Sequence, residues 1–176
     1  VKKDLLAYGV TKKAMSVIGY GNIAGVDLGC FRLMKKKILV KSDALKTELG
    51  IIGGDFVFCY IGRLNRDKGL QELTQAFLNL PENTHLIVVG GLDSEAPVDN
   101  QTLTLLHNHQ RIHMLGFQSD IRHALEACDV LVLPSYREGF PNVVLQAGAM
   151  AKAAVVTDIS GSNEIIEPGV NGWVAK

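Results

Sequence analysis

Phe56-Val57-Phe58-Cys59-Tyr60-Ile61-Gly62-Arg63-Leu64-Asn65-Arg66-Asp67-Lys68-Gly69-Leu70 passes from six residues without a charged break, through a loop of glycines and cations, into a stretch of different period. There Leu70, Leu73, Ala76, Phe77 and Leu80 recur every three to four residues. The first run reads as a strand buried on both faces and the second as an amphipathic helix. Working outward, Leu86-Ile87-Val88-Val89, Ile112-His113-Met114-Leu115, Val130-Leu131-Val132-Leu133 and Ala154-Val155-Val156-Thr157 repeat the strand signal, and Ile121, Ala124, Leu125 and Cys128 repeat the helical one. A helix is also expected from Pro141, a residue favoured at the first helical position. Strand and helix in alternation imply parallel strands with right-handed crossovers. The expected fold is α/β, a Rossmann-like doubly wound parallel sheet.

The chain has 176 residues, 47% of them hydrophobic, with 18 Lys and Arg against 18 Asp and Glu. That is one ordinary domain without a global field for polyanions, so no nucleic-acid partner is expected. No apolar run approaches the roughly 18 residues that span a bilayer, and Val1-Lys2-Lys3-Asp4 opens no signal peptide, so a cytoplasmic location is expected. Cys30, Cys59 and Cys128 share no spacing pattern; buried free thiols are expected of the last two rather than a disulfide or metal site. A start at Val1 and a stop just after an apolar stretch suggest a piece of something larger. Residues 1–50 differ in pattern and read as a lead-in segment packed on the domain of residues 51–176. They contain a candidate strand at Met15–Ile18, a basic run at Lys35–Lys37 and a helix over Ser42–Leu49 opened by a Ser cap.

In such a sheet ligands bind beyond the carboxyl ends of the strands. The loops that reach that edge are Gly62–Gly69, Gly90–Asp93, Gly116–Asp120 and Pro134–Asn142. Arg63 and Lys68 can face a diphosphate, or can be solvated loop cations. Gly139, Phe140, Asn142 and Val143 lie at a helix start, where backbone N–H groups form an anion site or a plain cap. Glu138 can accept hydrogen bonds from sugar hydroxyls or stabilise positive charge; the alternative is a surface acid paired with Arg137. Gly19–Gly25 only partly matches a dinucleotide fingerprint, because its third glycine is late and no helix pattern follows. His107, His109 and His113 do not share a helix face, and neither a phosphate-binding P-loop nor a Gly-x-Ser-x-Gly elbow is present. No metal is expected.

Taken together, Gly62-Arg63-Leu64 with Lys68-Gly69, Gly116-Phe117-Gln118-Ser119-Asp120, Asp129–Ser135, Glu138-Gly139-Phe140-Pro141-Asn142-Val143 and Gly161-Ser162-Asn163-Glu164-Ile165-Ile166 resemble the donor-binding domain of the group 1, or family 4, retaining glycosyltransferases. The stretch from Val17 to Phe31 resembles the segment after that family's interdomain crossing. The resemblance implies the C-terminal half of a two-domain GT-B fold, with an N-terminal acceptor domain and a C-terminal tail outside this chain. It implies a UDP- or GDP-sugar donor, a saccharide or lipid-linked acceptor, retention of anomeric configuration and no need for a metal or other cofactor. Arg63 and Lys68, in the loop opened by Gly62, would clamp the diphosphate with the Asn142 and Val143 backbone. Glu138 would be the catalytic residue in contact with the transferred sugar, with the backbone around Gly139 and Phe140, and Phe117 would lie near the base. Peripheral membrane attachment would belong to the missing half.

One position departs from the family. Its second glutamate, separated from the first by seven residues, is Gln146 here. An amide accepts through oxygen but donates through nitrogen, so one ribose hydrogen bond must reverse and charge assistance is lost, costing about 1 kcal/mol. The expected behaviour is nucleotide binding without turnover by this piece alone. A sugar-nucleotide 2-epimerase shares the scaffold but needs more acid and base groups than Glu138; a non-catalytic partner would fit a lost donor site.

Overall fold

The computed structural model describes residues 6–9, 25–31 and 36–176; the Met15–Ile18 strand and most of the glycine-rich stretch lie outside them. The elements are α1 (Lys36–Glu48), β1 (Phe56–Ile61), a 3-10 turn (Arg66–Lys68), α2 (Leu70–Phe77), β2 (Thr84–Val89), α3 (Asn100–Asn108), β3 (Ile112–Gly116), α4 (Arg122–Ala127), β4 (Val130–Leu133), α5 (Asn142–Ala149), β5 (Ala153–Thr157) and β6 (Gly172–Ala175). The strands form one sheet in the order β3-β2-β1-β4-β5-β6, and every neighbouring pair is parallel. The five apolar runs are all strands, as read from the sequence. Strand order reverses between β1 and β4, which places the loops after those two strands on either side of the crevice where such sheets bind ligands.

Val57, Cys59, Tyr60, Leu86, Ile87, Val88 and Leu131 are fully buried in the sheet, with Leu70 and Phe77 of α2 and Leu125 of α4 packed on it. Burial on both faces leaves only apolar side chains over Leu86–Val89 of β2, while Thr84 and His85 stand at its amino end. On α2 the buried positions are Leu70, Leu73, Thr74 and Phe77, whereas Ala76 faces solvent. Thr74 tolerates burial because its hydroxyl donates to the Leu70 carbonyl at 2.7 Å.

Two boundaries differ from expectation. The helix assigned a Ser42 cap begins by Lys36, and Ser42 lies in its interior, buried with Ile38 and Leu45 on the face that packs against α4. Lys36 and Lys37 therefore belong to a helix, and the small serine is a packing residue. Pro141 caps α5 with extended backbone, φ −73° and ψ 107°, and the helix starts at Asn142. Cys59 and Cys128 are buried free thiols as expected, and Cys30 is half-buried beside Arg122.

Glycines hold the loops of the carboxyl edge together by close approach. A β-carbon built at Gly69, where φ is +64°, would lie 2.0 Å from the Pro134 carbonyl oxygen; one at Gly90 would lie 1.8 Å from the Gly62 oxygen. Neither position admits a side chain without backbone movement. Gly69→Ala should therefore destabilise the chain by at least about 2 kcal/mol, whereas Gly148→Ala, in an open position of α5, should stabilise it by up to about 1 kcal/mol. Urea unfolding of the two variants checks both signs.

At the opposite, amino end of the sheet, His85 lies between Asp55 and His113. Its Nε2 is 3.3 Å from Asp55 Oδ2 and its Nδ1 is 2.9 Å from His113 Nε2, with the rings stacked. Burial, reinforced by His85, pushes the His113 pKa from its ordinary 6.5 down to about 4. Between those values the unfolded chain binds more protons, so stability falls as pH drops and is undiminished above 6.5. The expected loss from pH 6.5 to 4 is on the order of 1–2 kcal/mol, solvent screening of a half-exposed ring included. His113→Asn should flatten that part of a stability-pH curve measured by chemical denaturation.

Candidate functional site

Lys68 ends the 3-10 turn that follows β1. Gly69 then takes a left-handed conformation, donates its amide to the Arg66 carbonyl and starts α2. This tight reversal directs Lys68 across the switch point toward the loop after β4. Its Nζ lies 2.6 Å from Glu138 Oε1, with the two side chains only 16% and 13% exposed. The same oxygen accepts the Ser135 hydroxyl at 2.7 Å. Ser135 is fully buried, and its carbonyl accepts the hydroxyl of Thr157 at the end of β5. A continuous chain of hydrogen bonds thus runs from β5 through the β4 loop to the cation of the β1 loop.

Arg63 turns the other way, toward β2. Its Nη1 donates to Asp93 Oδ2 at 3.0 Å, and Asn65 Nδ2 donates to the same oxygen at 3.0 Å. The Asn65 bond, the Glu95 amide and Arg63 hold the Asp93 carboxyl below its usual range. The Arg63 side chain is 74% exposed, so its pairing with Asp93 is a surface contact and the guanidinium is reachable from solvent. Beneath it, the buried Tyr60 hydroxyl donates to the Arg63 carbonyl at 2.8 Å, and burial pushes that phenol upward, with Glu138 adding to the effect. Arg63 and Lys68 both stand on the β1 loop at the carboxyl edge. Each already has a carboxylate partner.

Glu138 is not the partner of Arg137. Arg137 pairs with Asp67, and Tyr136 donates to Glu72 at 2.6 Å, so the residues before Glu138 are tied to the 3-10 turn and α2. After Glu138 the chain passes Gly139 and Phe140 and enters α5 through Asn142 and Val143, with Gln146 one turn further on and half-buried. Gly161, at φ +89°, is pressed against the Gly139 carbonyl, where a β-carbon would stand 1.9 Å from the oxygen. Phe117, beyond β3, is 79% exposed. Sequence reasoning missed Ser135, Thr157 and Asp93 as supports. Ser135 stood in the quoted loop without a signal of burial, and Asp93 stood only as the end of the Gly90–Asp93 loop.

Beside this edge lies a cleft of about 800 Å³, walled by Asn65, Arg66, Asp67, Asp99 and Tyr136 among others. Its carboxylates are engaged locally: Asp67 with Arg137, Glu72 with the Tyr136 hydroxyl, and Asp99 capping α3 through the Thr102 amide. It shares no residue with the predicted site. Among the described residues no group of three His, Cys, Asp or Glu is placed to hold a metal ion, and no helix is long and apolar enough to cross a membrane.

Residues 41–176 match the family described as "Glycosyl transferases group 1". Over 165 residues the chain is 28% identical to the capsular polysaccharide biosynthesis glycosyltransferase CapM of Staphylococcus aureus, covering 92% of this chain and 42% of that protein. Over 118 residues it is 39% identical to the N,N'-diacetylbacillosaminyl-diphospho-undecaprenol alpha-1,3-N-acetylgalactosaminyltransferase of Campylobacter jejuni, covering 66% of this chain and 30% of that one. The crystal structure of Anabaena HepE with UDP and glucose superposes with a TM-score of 0.73 at 26% identity, over 86% of this chain and 41% of that one. The chain therefore spans less than half the length of these proteins.

The two carboxylate pairs differ in burial, and their energies should differ accordingly. A double-mutant cycle on Lys68→Ala and Glu138→Ala should give a coupling of about 1–3 kcal/mol. The corresponding cycle on Arg63 and Asp93 should give less than about 1 kcal/mol. Urea-unfolding free energies of the single and double variants measure both.

Proposed function

The chain belongs to the group 1 glycosyl transferases, with the Rossmann-like architecture of one half of the GT-B fold, and from that membership we propose that it is the donor-binding half of a retaining enzyme that moves a sugar from a nucleoside diphosphate to a saccharide or lipid-linked acceptor. The observation that carries this reading is the convergence of Lys68, Glu138 and the start of α5 on the switch point, with Arg63 exposed on the same loop. UDP in the HepE complex and the diphospho-undecaprenol in the Campylobacter name support the nature of donor and acceptor.

In this reading the bond between the sugar's anomeric carbon and the diphosphate oxygen breaks, and negative charge grows on the leaving group. Lys68 and the Asn142 and Val143 backbone stabilise that charge, and the exposed Arg63 joins them by exchanging Asp93 for the leaving group. Glu138 meets the transferred sugar together with the Gly139 and Phe140 backbone. Gln146 meets the ribose, and Phe117 lies by the base. The protein's own cations take the place of a metal. The acceptor and the opposing wall of the cleft come from the other half, so the chain alone binds without turnover.

Calorimetric titration with UDP and GDP, joined to a product assay with UDP-glucose, tests this. Binding of at least one nucleotide without sugar transfer is expected, and Gln146→Glu should tighten it about fivefold by restoring a carboxylate to the ribose. No binding to either nucleotide would favour a non-catalytic partner. Transfer by the isolated chain would overturn the division of labour.

A further inference from the structure

The hydrogen bonds to Glu138 are unevenly distributed. Lys68 Nζ and Ser135 Oγ both address Oε1, at 2.6 and 2.7 Å, and Oε2 has no hydrogen-bond partner among the described residues. We infer that Ser135 is a positioning residue: its hydroxyl clamps one oxygen of Glu138 so that the other is presented to the ligand in a single orientation.

Three features of the surroundings make the clamp rigid. Ser135 is fully buried, so its hydroxyl exchanges little with water and its best acceptor is the nearby carboxylate. Its carbonyl is held by Thr157 Oγ1, which anchors the residue to β5. Immediately before it, the Pro134 carbonyl fills the space over Gly69, the residue after Lys68. The segment Pro134-Ser135 thereby fixes both ends of the Lys68–Glu138 pair, one through backbone contact and the other through a hydroxyl.

A carboxylate with three rotatable bonds would otherwise sample several rotamers, and each immobilised rotor is a cost that binding must meet. Lys68 alone does not remove this freedom, because an ammonium on a flexible stem is a point charge that follows the carboxylate. A hydroxyl on the rigid β4 exit supplies direction. The consequence for the sugar rests on the donor reading above; the ordering of Glu138 does not.

The experiment therefore has two arms, both on the present chain. In the first, side-chain χ1 couplings of Glu138 are measured by NMR without ligand. One rotamer is expected for the unsubstituted chain, averaging for Ser135→Ala, and recovery for Ser135→Thr, which returns the hydroxyl. A single rotamer retained in Ser135→Ala would overturn the inference. Thr157→Val, which removes only the anchor of the Ser135 carbonyl, gives a second reading should Ser135→Ala not fold; averaging supports the clamp and an unmoved rotamer overturns it. In the second arm, affinities for UDP and UDP-glucose are compared. Ser135→Ala should lower the UDP-glucose to UDP ratio about tenfold, with Ser135→Thr restoring it; an unchanged ratio in a chain that binds both overturns the role toward the sugar. Failure of the unsubstituted chain to bind UDP would count against the donor reading, while the rotamer measurement still decides the clamp.

Discussion

The ion pair between Lys68 and Glu138 bridges the place where the strand order turns back on itself, and much of the carboxyl edge is arranged around it. An ammonium and a carboxylate at this depth lose solvation that their attraction recovers only with good geometry and further hydrogen bonds. That requirement accounts for the buried Ser135 hydroxyl on Oε1 and for Thr157 behind it. It also gives the β1 loop its sharp reversal, since Lys68 reaches Glu138 only because Gly69 turns into the left-handed region and lets the Pro134 carbonyl close over it.

The same edge is laced by backbone approaches that no side chain could share. Gly90 lies against Gly62, Gly69 against Pro134 and Gly161 against Gly139, so four consecutive loops contact one another through main chain. An edge built this way owes its shape to the scaffold. His113, whose pKa burial lowers, lies at the far end of the strands, so its contribution to acid sensitivity is separated in space from the loops of the carboxyl edge.

The sheet was legible because both of its faces are covered. Burial of Val57, Cys59, Tyr60, Ile61, Leu131 and Leu133 strips charged residues from Phe56–Ile61 and Val130–Leu133, leaving short apolar runs whose bounds in the sequence are their bounds in the fold. Helix ends were less legible. Ser42 carries the chemistry of a cap yet packs inside α1, because burial against α4 outweighs local preference, and Ala76 has the right spacing on α2 yet faces water while Thr74 is buried. For the site, sequence identified the residues that reach the edge but not their partners. The contacts of Lys68 with Glu138 and Arg63 with Asp93 join positions 70 and 30 residues apart, and only the strand order brings them together. Ser135 was invisible for the same reason: a serine in a polar loop gives no sign of being fully buried.

The pairing of both cations has a kinetic corollary. Arg63 with Asp93 and Lys68 with Glu138 are each neutralised locally, in keeping with a chain whose formal charge is zero. In the donor-binding reading proposed above, a dianion approaching from solution would meet little long-range field, so capture would proceed at the pace set by random encounter and correct orientation, with weak sensitivity to ionic strength. In that reading the attraction would develop only at short range, as phosphate oxygens compete with the two carboxylates for the same donors.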